Sequence, residues 1–162
     1  MNKLIAVVGM SGTGKSVITD YLEENNWNKL YFGGITYKLM KEAGIERTAD
    51  GKVEKEFREK LNQGNVVLDG LYSWYEYKYL IERFENLVLI CVVTDKNIRY
   101  SRVANRPDRP FDKEAIVYRD LSEIENLAKG GPIAYADYYI LNNGEMDEEI
   151  NRLKEILKEI GE

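Results

Sequence analysis

The sequence predicts a three-layer α/β fold, a parallel sheet of about five strands with helices on both faces. Three observations carry that expectation. Short apolar runs alternate with helical patterns along nearly the whole chain, and this order calls for crossover connections between parallel strands. The run LVLICVV, Leu87 to Val93, is continuous and rich in β-branched residues, as a strand covered on both faces should be. Between the first apolar run and the first helical pattern stands GMSGTGKS, Gly9 to Ser16, a glycine-rich bend of the kind that turns backbone N–H groups toward an anion.

Taken in order, KLIAVV (Lys3 to Val8) reads as a buried strand and Lys15 to Asn25 as a helix. KLYF (Lys29 to Phe32) is a weaker strand, and helical patterns follow near Ile35–Ala43 and Lys52–Gln63. VVLD (Val66 to Asp69) is a strand, Tyr75 to Phe84 a helix, and Leu87 to Val93 the strongest strand. Helices are expected near Lys96–Asn105 and Lys113–Leu127, with Gly130, Gly131 and Pro132 forming a hinge or turn. YYIL (Tyr138 to Leu141) is the last strand. In the tail, Ile150, Leu153, Ile156, Leu157 and Ile160 share one helix face, with Asp147 as the expected cap. Right-handed crossovers would bring the strand ends, and the site, to one edge of the sheet.

The phosphate cradle is complete: Gly9, Gly14, Lys15 and Ser16 satisfy G-x-x-x-x-G-K-S. Gly9, Gly12 and Gly14 allow the amides from Met10 through Val17, Ser11 and Thr13 among them, to line phosphate oxygens. Lys15 is expected to bridge the β- and γ-phosphates of ATP, and the Ser16 hydroxyl to ligate Mg²⁺. A second acid belongs at the end of a neighbouring strand, and NVVLDG supplies Asp69. Arg99, Arg102 and Arg106 recur at spacings that share a helix face, and Arg109 follows in NRPDRP, where prolines end a helix. Such guanidinium groups can close over a triphosphate and stabilise the transferred phosphoryl group. Tyr72, Trp74, Tyr75, Tyr77 and Tyr79 crowd beside Asp69; they read mainly as packing, with base stacking as the alternative.

The totals narrow the chemistry. The 162 residues suit one domain, 1–162. With 23 Lys plus Arg against 28 Asp plus Glu, the net charge of −5 gives no general attraction to nucleic acid or membrane. Histidine is absent, which removes Ser-His-Asp and Cys-His catalysis. The lone Cys91 lies in an apolar run, which suits core packing in a reducing, cytoplasmic compartment. No signal peptide is read before the first strand, and no apolar run is long enough to span a bilayer.

GMSGTGKS, VVLDG, RYSRVANRPDRP and ADYYILNNG together, in this order, resemble small P-loop kinases, and among them dephospho-CoA kinases and the related archaeal adenylate-kinase-like proteins. The resemblance implies a five-stranded parallel sheet, an acceptor-binding helical insert at about 33–64 and an Arg-bearing lid at about 99–112. It places Asp137, Asn142, Asn143 and Gly144 near the donor adenine, with Asn143 as a base contact. In the acceptor half the sequence departs from that pattern: Gly34 and Tyr37 in YFGGITYK, and Tyr72 in DGLYSWYEY, stand where relatives carry charged residues. Arg58 is left, with Arg109, as an arginine for an acceptor phosphate. The implied activity is transfer of the γ-phosphate of MgATP to a nucleotide or nucleotide-like acceptor, such as a (deoxy)nucleoside monophosphate or dephospho-CoA. Lys15, Asp69, Arg102 and Arg106 are the catalytic candidates. The alternatives are a P-loop ATPase or nucleotide-binding module without a small-molecule acceptor, and a kinase for modified DNA bases.

Overall fold

Five residues that are apolar without interruption form β1 (Leu4–Val8), and all five are buried. In the computed structural model, which describes residues 1–31, 48–108 and 110–162, with 48–54 as backbone alone, β1 is the middle strand. It is followed by α1 (Lys15–Glu24), β2 (Asn28–Tyr31), α2 (Thr48–Gln63), β3 (Val66–Asp69) and α3 (Trp74–Arg83). Then come β4 (Leu87–Val93), α4 (Lys96–Ala104), α5 (Lys113–Glu125), α6 (Gly130–Ala134), β5 (Tyr138–Leu141) and α7 (Met146–Glu159).

The sheet has five strands in the order β2-β3-β1-β4-β5, and every pairing is parallel. The chain leaves β1 for β2, returns to β3, and then crosses to β4 and β5. The order therefore reverses beside the C-terminal end of β1, the point where open α/β sheets form a crevice. Residues alternate between two cores. Leu4, Ala6 and Val8 join Leu68, Leu80 and Phe84 on one face. Ile5 and Val7 join Ile18, Leu22, Leu153 and Ile156 on the other. Each large aliphatic side chain so buried contributes roughly 1.5–3 kcal/mol.

Local chemistry explains the helix starts. The Ser73 hydroxyl accepts from the Glu76 amide at 3.1 Å at the head of α3, and Asp112 Oδ1 accepts from the Ala115 amide at 2.8 Å at the head of α5, each a side-chain cap. The last helix differs from expectation at its start. Glu145 holds the cap position, and Asp147 lies inside the first turn with Glu148 and Glu149, where the helix dipole favours acids. The expected turn at Gly130–Pro132 belongs to the short helix α6. The expected helix near Ile35–Ala43, Phe32 of the second strand, and Gly34, Tyr37 and Arg109 fall outside the described residues. Cys91 is fully buried, and burial pushes its thiol up to about 11, so it packs as an apolar residue. Among the described residues no helix is long and apolar enough to cross a membrane.

Candidate functional site

The bend between β1 and α1 takes its shape from two residues with left-handed backbone. Gly12 has φ +83° and Gly14 φ +93°, and a Cβ on Gly12 would come within 2.7 Å of the Arg99 carbonyl. Only glycine adopts this path without strain. The loop is braced from several sides. The Thr13 hydroxyl donates to the Met10 carbonyl at 2.9 Å, and Asn142 Nδ2 donates to the Thr13 carbonyl at 2.8 Å. Lys15 Nζ donates to the Gly9 and Met10 carbonyls at 2.8 and 3.0 Å. Burial, and then the positive charge of Lys129, lowers the Lys15 ammonium to about 7.

The loop opens onto a cavity of about 620 Å³ at the C-terminal edge of the sheet. On the loop side it is walled by Ser11, Gly12, Gly14, Lys15, Ser16 and Val17. Asp69 and Tyr72, from the end of β3, stand opposite. Arg102 on α4, Arg106 beyond it and Arg119 on α5 supply the cationic wall, and Asn142, Gly144, Glu145, Met146 and Glu149 close the far end. Ser16 and Asp69 thus bring a hydroxyl and a carboxylate to one cavity, a hard-oxygen pair suited to Mg²⁺ when phosphate oxygens complete its shell. Among the described residues no group of three or more His, Cys, Asp or Glu could hold a metal by itself.

Several expected residues stand elsewhere than the sequence suggested. Arg99 is buried and does not face the cavity. It pairs with Asp120 in a fork of 2.9 and 2.6 Å, and Nη1 donates to the Ser11 carbonyl at 3.3 Å. Its position one turn before Arg102 turns it under the phosphate loop, so it braces that loop in place of forming a lid. Arg102 keeps its place on the wall while tying two loops together: Nη1 donates to the Asn142 carbonyl at 2.9 Å and to the Gly12 carbonyl at 3.4 Å. Asn143 is turned away from the cavity, because its Oδ1 accepts from the Asp95 amide at 2.8 Å; Asn142 takes the position beside the loop.

Arg58 lies at the opposite end of the sheet, in a second cavity with Met1, Leu4 and Asn86. Its Nη2 donates to the Arg83 carbonyl at 3.3 Å, and it covers the Phe84 ring at 5.0 Å. The antiparallel run of α2 past β3 carries its C-terminal half to the strand beginnings, away from any acceptor. The aromatic crowd also sorts toward packing: Tyr77 and Tyr79 are buried, and Trp74, Tyr77 and Tyr135 pack with ring centroids 5.5–6.1 Å apart. Tyr72 alone of that group reaches the cavity wall. Burial, and then a hydrogen bond with the Tyr31 hydroxyl, raises its phenol well above the ordinary value.

Four side chains were not singled out in the sequence. Arg119 and Glu123 form an i,i+4 pair, Nε to Oε1 at 3.1 Å, a spacing visible in YRDLSE. Lys129 is 1% exposed and meets Glu123 Oε2 at 2.8 Å. Glu149 is 1% exposed, and among the described residues neither of its carboxyl oxygens has a hydrogen-bond partner. It sits against the loop, 3.1 Å from where a Cβ on Gly14 would stand.

Burial raises the Glu149 carboxyl from 4.5 to about 7, with Arg102 opposing. The folded state therefore holds this proton more tightly than the unfolded chain. Its contribution to stability falls as pH rises from about 4.5 to about 7 and is flat above. Glu149→Gln is expected to flatten that fall and to gain on the order of 1–3 kcal/mol at pH 8, read from denaturant midpoints across pH. Glu76, also raised to about 7 by burial, leaves a residual slope of the same sign.

The model of the AAA domain family matches residues 5–128. A UPF0200 protein of Sulfurisphaera tokodaii is 31% identical, over 98% of this chain and 97% of its own length. One of Methanococcus vannielii is 29% identical, over 98% and 96%. Among solved structures, TT1252 from Thermus thermophilus superposes with TM-score 0.67 at 15% identity over 99% of both chains. Shikimate kinase from Bacteroides thetaiotaomicron superposes with TM-score 0.59 at 14% identity, over 96% of this chain and 98% of its own. At such identities the superpositions speak to the fold, a five-stranded parallel sheet of the P-loop kinase type.

Proposed function

Because this chain belongs to the AAA domain family, matched over residues 5–128, and to the UPF0200 proteins, we propose that it is an ATP-dependent phosphotransferase. It moves the γ-phosphate of MgATP to a nucleotide or nucleotide-like acceptor, such as a (deoxy)nucleoside monophosphate or dephospho-CoA. The observation that carries this reading is the single cavity in which Lys15, Ser16, Asp69, Arg102, Arg106 and Arg119 converge. A hydrolase needs a place for water; a cavity of about 620 Å³ with three arginines on its wall offers volume and positive charge for an acceptor beside the triphosphate. The likeness of the fold to shikimate kinase and to a sugar kinase from Janibacter supports a kinase reading.

In this account the loop amides and Lys15 hold the β- and γ-phosphates. Ser16 and Asp69 would hold Mg²⁺, which would neutralise charge on the phosphate oxygens. Arg102 and Arg106 stabilise the equatorial oxygens as the acceptor oxygen bonds to phosphorus and the bond to the β-bridging oxygen breaks, releasing ADP. Lys15 and Arg102 both line the cavity and are held by backbone carbonyls, which favours alignment over covalent chemistry.

The test is a transfer screen from γ-labelled ATP over mono- and deoxymononucleotides, dephospho-CoA and DNA. Label retained on one of the small molecules is the expected result. Hydrolysis of ATP with no transfer to any of them would establish an ATPase in place of a kinase.

A further inference from the structure

Beside the cavity, near the Tyr72 ring on its wall, lies a buried charged group that the mechanism above leaves unused. Lys129 is 1% exposed, the most buried charged side chain of its kind among the described residues. Its Nζ is 2.8 Å from Glu123 Oε2 and 5.0 Å from the centre of the Tyr72 ring. Glu123 Oε1 accepts from Arg119 Nε at 3.1 Å. One carboxylate is thus shared between a cation wholly inside the protein and a cation on the cavity wall. Burial pushes the Glu123 carboxyl up, but Lys129 and Arg119 outweigh it and hold it below the ordinary range. The carboxylate stays charged.

The sharing fixes an orientation. A carboxylate left alone with an arginine prefers the two-bond fork, with both oxygens on one guanidinium. Here Lys129 occupies Oε2, so Glu123 engages Arg119 through Nε alone. The Arg119 Nη groups make no hydrogen bond among the described residues, and the guanidinium lines the cavity. Arg106 stands on the same wall and has no carboxylate partner among the described residues. Two neighbouring guanidinium groups without an acid between them form a receptor for an anion.

We propose that Lys129 is a positioning residue which, through Glu123, turns Arg119 toward the cavity to bind an anionic phosphate group of the acceptor. The inference rests on the phosphotransferase reading and narrows its acceptor to molecules that already carry such a group. The donor's γ-phosphate shares this chemistry, so the experiment separates the two sources.

Protein saturated with magnesium and AMP-PNP, which fills the γ-position, is titrated with inorganic phosphate by calorimetry. Millimolar binding is expected in the unaltered protein. Arg119→Gln should weaken it about tenfold. Lys129→Met should weaken it about fivefold, because Glu123 then captures Arg119 in the fork. Lys129→Arg should restore it. AMP-PNP affinity should stay within about twofold in Arg119→Gln and Lys129→Arg, and Lys129→Met, which removes a positive charge acting on Lys15, should not weaken it. Glu123→Gln cannot form that fork, so adding it to Lys129→Met should recover the lost affinity, and this doubly neutral variant, which leaves no unpaired buried charge, serves where Lys129→Met does not fold.

Unchanged phosphate affinity in Lys129→Met, or a loss that persists in the double variant, overturns the positioning role. Unchanged affinity in Arg119→Gln, or no phosphate binding to the loaded protein, overturns the anion site while leaving the phosphotransferase reading in place. A drop in AMP-PNP affinity in Arg119→Gln that MgADP does not share assigns the contact to the donor and overturns the acceptor assignment. Failure of AMP-PNP to bind the unaltered protein sinks the parent reading as well.

Discussion

Replacement of Lys15 by Ala is expected to lower phosphoryl transfer by about 10³-fold or more. The expectation follows from what the side chain does. Its ammonium lies within 2.8–3.0 Å of two carbonyls at the floor of the phosphate loop. It is the cation that the loop itself contributes to the cavity. A phosphoryl group in transit carries charge on oxygens that bulk water cannot reach in a closed site, so one aligned cation there is worth several kcal/mol. The loss should appear in kcat and in the affinity for MgATP together, because the same ammonium meets ground state and transition state. The fold should be indifferent. Truncation at Lys15 removes two hydrogen bonds and one buried charge, and leaves both cores untouched. A single-turnover assay with a thermal melt in parallel separates these effects. Full turnover in Lys15→Ala would refute the assigned role.

Asp69→Asn is expected to cost roughly 10²-fold and to change the magnesium dependence of the reaction. Asp69 ends β3 and shares the cavity with Ser16. The amide keeps size and shape but loses the negative charge that makes a hard-oxygen ligand. The magnesium concentration for half-maximal rate should therefore rise, and excess magnesium should restore part of the loss. The alternative duty, an ordinary turn acid before Gly70, predicts a change in stability alone. Gly70 takes φ +90°, so the turn has its own cause and does not depend on the carboxylate. A magnesium titration of the rate in Asp69→Asn that overlays the unaltered protein would return Asp69 to turn duty.

The fold was legible because its signals are local. The central strands β1, β3 and β4 are almost wholly apolar runs of four to seven residues, and the edge strand β2 is the weakest of the signals. The phosphate loop was legible for a stronger reason: Gly12 and Gly14 must take left-handed backbone, and a sequence records that demand directly. The arginines were harder. Spacings of three and four put Arg99, Arg102 and Arg106 near one another, yet they do not say which points outward. Asp120, far along the chain on α5, captures Arg99, and that partner is chosen by tertiary packing. Arg58 was misplaced because helix direction, which sends it to the opposite sheet edge, follows from topology and not from motif.

The buried charges were the least legible. Glu149 stands four residues before Leu153 and seven before Ile156, on the face that α7 turns inward, so its spacing announced burial. Its charge argued the other way, and the acidic first turn disguised it. Lys129 in LAKGGP carries no periodic signal at all. Its burial depends on the Arg119–Glu123 pair of α5 meeting Tyr72, which follows β3. A residue whose partners come from two distant segments is visible only in the assembled structure.

The claim on which the rest stands is that the bend between β1 and α1 binds the phosphates of a nucleotide. Calorimetric titration of ATP into the purified protein, with and without magnesium, measures it directly. The account predicts micromolar binding that strengthens with magnesium and is lost in Lys15→Ala. Heat no greater than dilution for ATP and GTP alike, with magnesium present and the protein folded, would contradict it.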